Sequence, residues 1–198
     1  MPGALLLHGY TSTPQSLDGL AAALTDAGFD VAVPLLPGHG TTVEDLTACR
    51  WRDWTAAAEE AWDKLAARHE RPIVGGLSMG GTLATWLAAA RPDVAGLACV
   101  NPMIDPPATS FRELLRAFVA DGHACLPGPA NDISEPGERE VAYPQWPIEP
   151  MLSLFEAQDD LLGRLVAVTC PVLIVTSRQD HVVPPVSSEM LADGVTGV

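Results

Sequence analysis

The stretch from Arg71 to Ala90 constrains the fold most. Arg71-Pro72-Ile73-Val74-Gly75 is a short β-branched run, the pattern of a buried strand. Gly81 to Ala90 is rich in helix formers and stops at Arg91-Pro92. Between them lies Gly76-Leu77-Ser78-Met79-Gly80. Glycines two before and two after the serine let strand and helix approach closely while the serine takes a strained backbone conformation. Such a turn lifts Oγ to the positive end of the helix dipole. Strand before and helix after are what a nucleophile elbow requires, so Ser78 is the candidate nucleophile.

Around this unit the chain alternates strand and helix patterns. Ala4–His8 is a continuous apolar run, as in a strand covered on both faces. Pro14–Ala27 carries Leu17, Leu20, Ala21 and Leu24 at helical spacing and stops at Gly28. Phe29–Val33 reads as a strand, Pro34–Thr42 as a Pro/Gly loop, and Trp51 to about His69 as a long helix. Val94–Val100 and Val172–Thr176 are further strands, and Pro185–Leu191 begins a helix. The alternation predicts an α/β fold with a mostly parallel, doubly wound sheet.

Residues 101–163 break that rhythm. They hold nine of the prolines from Pro102 to Pro150, with helices expected around Phe111–Asp121 and Met151–Leu165. An ordinary strand-to-helix connection takes a few residues, so this stretch reads as an insertion over the carboxyl edge of the sheet, acting as a lid. The organisation is then residues 1–100 as the first part of the core, 101–163 as the lid, and 164–198 as the last part of the core. Met103, Phe111 and Trp146 of the insertion are candidate substrate-binding residues.

Three features fit a nucleophilic serine. Leu5-Leu6-Leu7-His8-Gly9-Tyr10 ends a strand on a turn. Acyl transfer needs N–H donors aimed at the developing oxyanion, and the Met79 and Tyr10 amides are the candidates. Val172–Thr176 leads to Asp180 just past the carboxyl end of a buried strand, where a carboxylate can orient a histidine and stabilise its imidazolium. Pro37-Gly38-His39-Gly40 is a tight turn that can line the site mouth, with His39 as a further substrate-binding candidate, although a loop whose glycines need positive φ explains it better.

Composition narrows the partners. Eleven Lys and Arg against 25 Asp and Glu give a net charge of −14, which disfavours nucleic acids and anionic membranes. No apolar run reaches membrane-spanning length, so no stable membrane insertion is expected. Ala4–Leu7 is too short for a signal h-region, and the chain reads as cytoplasmic. Cys49, Cys99, Cys125 and Cys170 show no metal-ligand spacing.

Taken together, LLLHGY (Leu5–Tyr10), LPGHG (Leu36–Gly40), GLSMGG (Gly76–Gly81) and SRQDHVVPP (Ser177–Pro185) resemble the α/β-hydrolase family, in particular its carboxylesterase and monoacylglycerol lipase group. The resemblance implies Ser78 as nucleophile, Asp180 as the triad acid, and Tyr10 and Met79 as oxyanion donors. It implies a small lid over an acyl pocket, a small-molecule ester as substrate, and no metal or organic cofactor. It departs from the family at both ends: the usual first hairpin and last strand are not present in the sequence. The family's catalytic histidine follows the acid by about 25–35 residues, and no histidine here holds that position. His39 is the one histidine with an approach to Ser78, and so the one candidate for a substitute base. The resulting expectation is a serine carboxylesterase of short- to medium-chain esters whose base lies outside these 198 residues. A monoacylglycerol lipase or thioesterase shares that chemistry, and a non-catalytic binding protein is the reading from another class.

Overall fold

A computed structural model describes residues 1–129, 133 and 135–197. Its strands are β1 (Gly3–Leu7), β2 (Asp30–Ala32), β3 (Ile73–Leu77), β4 (Gly96–Val100), β5 (Cys125–Pro127), β6 (Gln145–Pro147) and β7 (Val172–Val175). Its helices are α1 (Asp18–Asp26), α2 (Val43–Ala48), α3 (Trp51–Ala66), α4 (Met79–Ala90), α5 (Thr109–Ala120), α6 (Ile148–Leu162) and α7 (Val186–Gly194). Five strands form one parallel sheet in the order β2-β1-β3-β4-β7. The expected doubly wound architecture is therefore the observed one.

Register makes the site possible. Leu7 pairs with Gly76, Gly76 with Cys99, and Val100 with Val175. The carboxyl ends of β1, β3, β4 and β7 thus finish nearly level, and the residues that follow them emerge on one edge. Those residues include Gly9, Ser78, Asn101 and Ser177.

The core forms from the apolar runs of β1, α3 and α4, whereas α1, read as amphipathic, buries no residue and leaves Leu20 exposed. All five residues of β1 are buried, as are nine of the twelve residues of α4. Helix α3 buries Trp54, Ala58, Trp62 and Leu65 along one face. Both buried indoles donate their N–H, Trp54 to Pro37 O at 3.1 Å and Trp62 to Asp93 at 3.3 Å, so neither carries an unsatisfied donor into the core. Burying apolar groups of this size contributes roughly 1.5–3 kcal/mol per large side chain. The strand β7, expected to be buried, is instead an edge strand of the sheet and leaves Leu173 and Val175 exposed, because no further strand pairs with it among the described residues.

The described residues between β4 and β7 leave the sheet with more structure than sequence reasoning gave them. Helix α6 begins at Ile148 rather than Met151, because Pro150 fits the first helical turn, where its missing N–H has no partner to lose. The antiparallel pair β5–β6 was not anticipated. Neither was α2, which Thr42 caps by accepting the Asp45 N–H at 3.1 Å. Helix α5 is tied to α6 by ion pairs from Arg112 to Asp159 and from Arg116 to Glu156. Among the described residues no helix is long and apolar enough to cross a membrane.

Candidate active site

Ser78 stands between β3 and α4 at φ 54°, ψ −119°. An L-residue avoids this region, and the surroundings fix it there. The Ser78 N–H donates to Val100 O at 3.0 Å, and the Ser78 carbonyl accepts from Gly81, Thr82 and Met103 N–H groups. The glycines allow contacts that no side chain would. A Cβ on Gly76 would lie 2.1 Å from Gly80 O, and a Cβ on Gly80 only 1.9 Å from Leu7 O. The serine Oγ makes no hydrogen bond among the described residues. It sits instead at the N-terminus of α4, where unpaired amides and the helix dipole favour negative charge.

The turn after β1 faces this serine. A Cβ on Gly9 would be 3.6 Å from Ser78 Cβ. Tyr10 follows directly, and neither its amide nor that of Met79 is used in a hydrogen bond among the described residues. The Tyr10 side chain points elsewhere: its hydroxyl donates to Pro147 O at 2.6 Å, and burial pushes the phenol pKa up, keeping it protonated.

Asp180 lies in the loop between β7 and α7. Its Oδ1 accepts the N–H groups of Val182 at 2.8 Å and Val183 at 2.7 Å, which closes the loop on itself. The loop is also fastened from the side. Asn101, at φ 43° just past β4, accepts the Ser177 N–H through Oδ1 at 2.7 Å. Ser187 at the start of α7 donates to Pro102 O and accepts from Ile104 and Asp105 N–H groups. The loop of residues 101–105 therefore joins the elbow to the acid loop.

The candidate substrate-binding residues are dispersed. Met103 packs partly buried beside the elbow, with its carbonyl accepting from Thr82 Oγ1 and Gln158 Nε2, both at 2.6 Å. Trp146 is half-buried in β6, its ring 6.3 Å from that of Tyr10. Phe111 is 41 % exposed on the outer part of α5. His39 does not line an open mouth as expected: it is 1 % exposed, wedged against the rings of His8, Tyr10 and Trp54.

Comparison with known proteins decides the family. The family described as "Serine aminopeptidase, S33" (Hydrolase_4) matches residues 4–132. The thermostable monoacylglycerol lipase of Bacillus sp. (strain H-257) is 37 % identical over 199 residues, covering 98 % of this chain and 76 % of that protein. The chain is an α/β-hydrolase.

A carboxylesterase of Bacillus subtilis (strain 168) is 24 % identical, covering 96 % of this chain and 77 % of its own. Among solved structures, one reported for the metagenome-derived lipolytic enzymes LipS and LipT superposes with a TM-score of 0.91 at 38 % identity, over 98 % of this chain and 80 % of that one.

Within this α/β-hydrolase the contacts of His8, His39, His69 and His123 lie away from Ser78. His8 sets its Nδ1 against Gly9 O at 3.0 Å and accepts the Leu36 N–H on Nε2 at 3.1 Å, which fixes the Nδ1–H tautomer. His39 sets Nδ1 against Pro37 O at 3.0 Å, and its buried Nε2 has no partner among the described residues. Burial lowers the pKa of both rings to about 4, so both are neutral at pH 7. His69 bridges Met1 O and Asp30 at the amino edge of the sheet, opposite the elbow. His123 packs on Phe118, and His181 is exposed beside Asp180 in the chain. His39 thus lacks the serine contact that a substitute base needs.

Sequence reasoning missed Thr11, Asn101, Tyr143 and Gln158. Asn101 carried one usable signal, an Asn at a strand end, a residue type that tolerates positive φ. The others take part through pairings between distant segments, which leave no local pattern.

Proposed function

We propose that this chain is the core of a serine carboxylesterase acting on short- to medium-chain carboxylic esters. Ser78 attacks the ester carbonyl, the alcohol leaves, and water hydrolyses the acyl-serine. The Tyr10 and Met79 amides stabilise the oxyanion. Asp180 orients a histidine that takes the serine proton, delivers it to the leaving alcohol and then activates water. In this reading that histidine is none of the five among residues 1–198. Residues 101–163 form the lid, and Met103, Trp146 and Phe111 meet the acyl chain. The scheme needs no metal or organic cofactor.

One observation carries this reading: Ser78 is held at φ 54° on the carboxyl edge of a parallel sheet, with the Gly9 turn packed against it. Such strain persists only where the surroundings over-determine it, and it clusters at active sites. The test is hydrolysis of p-nitrophenyl butyrate by the natural gene product and by its Ser78→Ala variant. A drop of about 10⁴-fold or more with an unchanged circular dichroism spectrum supports the reading.

A monoacylglycerol lipase is the second reading, favoured by the relative at 37 % identity. The two separate on substrate: a lipase of this kind turns over a 1-monoacylglycerol faster than the methyl ester of the same acid, and a general esterase does not.

A further inference from the structure

The residue next to Tyr10 is strained. Thr11 is buried and sits at φ 61°. A β-branched residue in the left-handed region is a genuine outlier, and it persists only where neighbours over-determine it. Two hydrogen bonds hold it. Its own Oγ1 donates to Tyr10 O at 2.6 Å, and its carbonyl accepts the Tyr143 N–H at 3.0 Å. The second bond comes from residues 139–147, which otherwise belong to the excursion above the sheet.

That segment is laced along the whole turn. Gln15 engages it like a missing strand, donating to Arg139 O at 3.3 Å and accepting the Val141 N–H at 3.0 Å. Tyr143 then reaches across: its hydroxyl donates to Gly38 O at 2.9 Å and accepts the Thr41 N–H at 2.8 Å. Tyr10 closes the far end through its hydroxyl on Pro147 O. The Tyr143 hydroxyl therefore seats its own backbone over Thr11, using the loop of residues 38–41 as a base.

We propose that Tyr143 is a positioning residue that couples the lid to the oxyanion hole. It holds strained Thr11 so that the preceding Tyr10 N–H aims at the site facing Ser78. This inference rests on Tyr10 and Ser78 having the roles given above. The lid is then no independent cover: displacing residues 139–147 relaxes Thr11 and turns the Tyr10 amide away. Misaiming one oxyanion donor lowers turnover without weakening ground-state binding, because the donor acts only when charge develops.

The test uses the natural gene product, first shown to react with a fluorophosphonate at Ser78. Tyr143→Phe removes the hydroxyl and leaves the ring and N–H. We expect kcat for p-nitrophenyl butyrate to fall about 10-fold with KM within about twofold, since a misplacement on the order of 1 Å costs up to 10²-fold. Phenylboronic acid, whose serine adduct places an oxygen in the oxyanion hole, should bind about 10-fold more weakly. Gln15→Ala loosens the same strap from its other end and should give the same kcat-selective loss at a smaller size. Wild-type kcat and boronate affinity in both variants, whatever their melting temperatures, overturn the coupling and leave the serine assignment standing. A rise in KM alone also overturns it. Absence of Ser78 labelling in the wild type overturns both.

Discussion

Asn101 Oδ1 accepts the Ser177 N–H at 2.7 Å, so the residue just past β4 holds the loop that carries Asp180. The same short loop donates Met103 N–H to Ser78 O at 3.2 Å. Nucleophile and acid are thereby indexed to a common piece of backbone. Asn101→Gly keeps the φ of 43° accessible but deletes the acceptor. It should lower kcat/KM by about 10-fold or more. Asn101→Asp keeps an acceptor oxygen and should retain most of the activity. Equal activity in Asn101→Gly and the wild type would remove Asn101 from the account.

Gly80 is the most tightly constrained position at the elbow. An added Cβ would meet Leu7 O at 1.9 Å and His8 O at 2.7 Å, both backbone atoms that no rotamer change relieves. Gly80→Ala should destabilise the protein by about 4 kcal/mol or more, or prevent folding outright. Gly122→Ala is the comparison: its φ of 89° strains a side chain, but nothing lies within 4 Å. It should cost only about 1–2 kcal/mol in urea denaturation.

His8 and His39 make stability depend on pH. Burial holds both at about 4 against an ordinary 6.5. Between those values the unfolded chain binds protons that the folded chain refuses, so stability falls as pH drops from 6.5 toward 4. Each ring accounts for at most about 3.4 kcal/mol, at 1.36 kcal/mol per pH unit. Urea denaturation at pH 7.5 and 5.0 should show the loss, and His39→Gln should show a shallower one. A flat profile across this window would contradict neutral burial.

Trp146 lies in the short strand that carries Pro147, whose carbonyl takes the Tyr10 hydroxyl. If it lines the acyl pocket, Trp146→Ala should change the dependence of rate on chain length and leave acetate esters nearly unaffected. Each methylene buried against the ring is worth about 0.8 kcal/mol until the pocket is full. Equal slowing of every ester would show that this part of the molecule does not select the acyl group.

The elbow was legible because its signal is local: two glycines at fixed offsets between a β-branched run and a helix former. The sheet was legible for the same reason, since β1 and β3 are short apolar runs with turn residues beyond them. What stayed hidden depends on distant pairing. Three-residue strands such as β5 and β6 have no periodicity to read, and α2 is only six residues long, directly after a loop rich in Pro and Gly. His39 shows the opposite failure. Its PGHG turn suggested a residue at the mouth, but the packing of Trp54, Tyr10 and His8 around it turns the ring into core. Gln15 and Tyr143 gain their roles only once residues 139–147 are laid across the turn after β1.

Ser78 itself gives a prediction about stability and function together. At φ 54° a side chain is strained, and glycine is not. Ser78→Gly should raise stability by about 1 kcal/mol while abolishing turnover. Loss of stability in that variant would mean that the backbone here is relaxed.

The central claim is that Ser78 is the nucleophile, and active-site labelling tests it most directly. The natural gene product is treated with a fluorophosphonate probe, and the modified peptide is mapped by mass spectrometry. One equivalent on Ser78, with none on the Ser78→Ala variant and hydrolysis lost in parallel, is the predicted result. Labelling at another residue, or ester hydrolysis that survives Ser78→Ala, would contradict it.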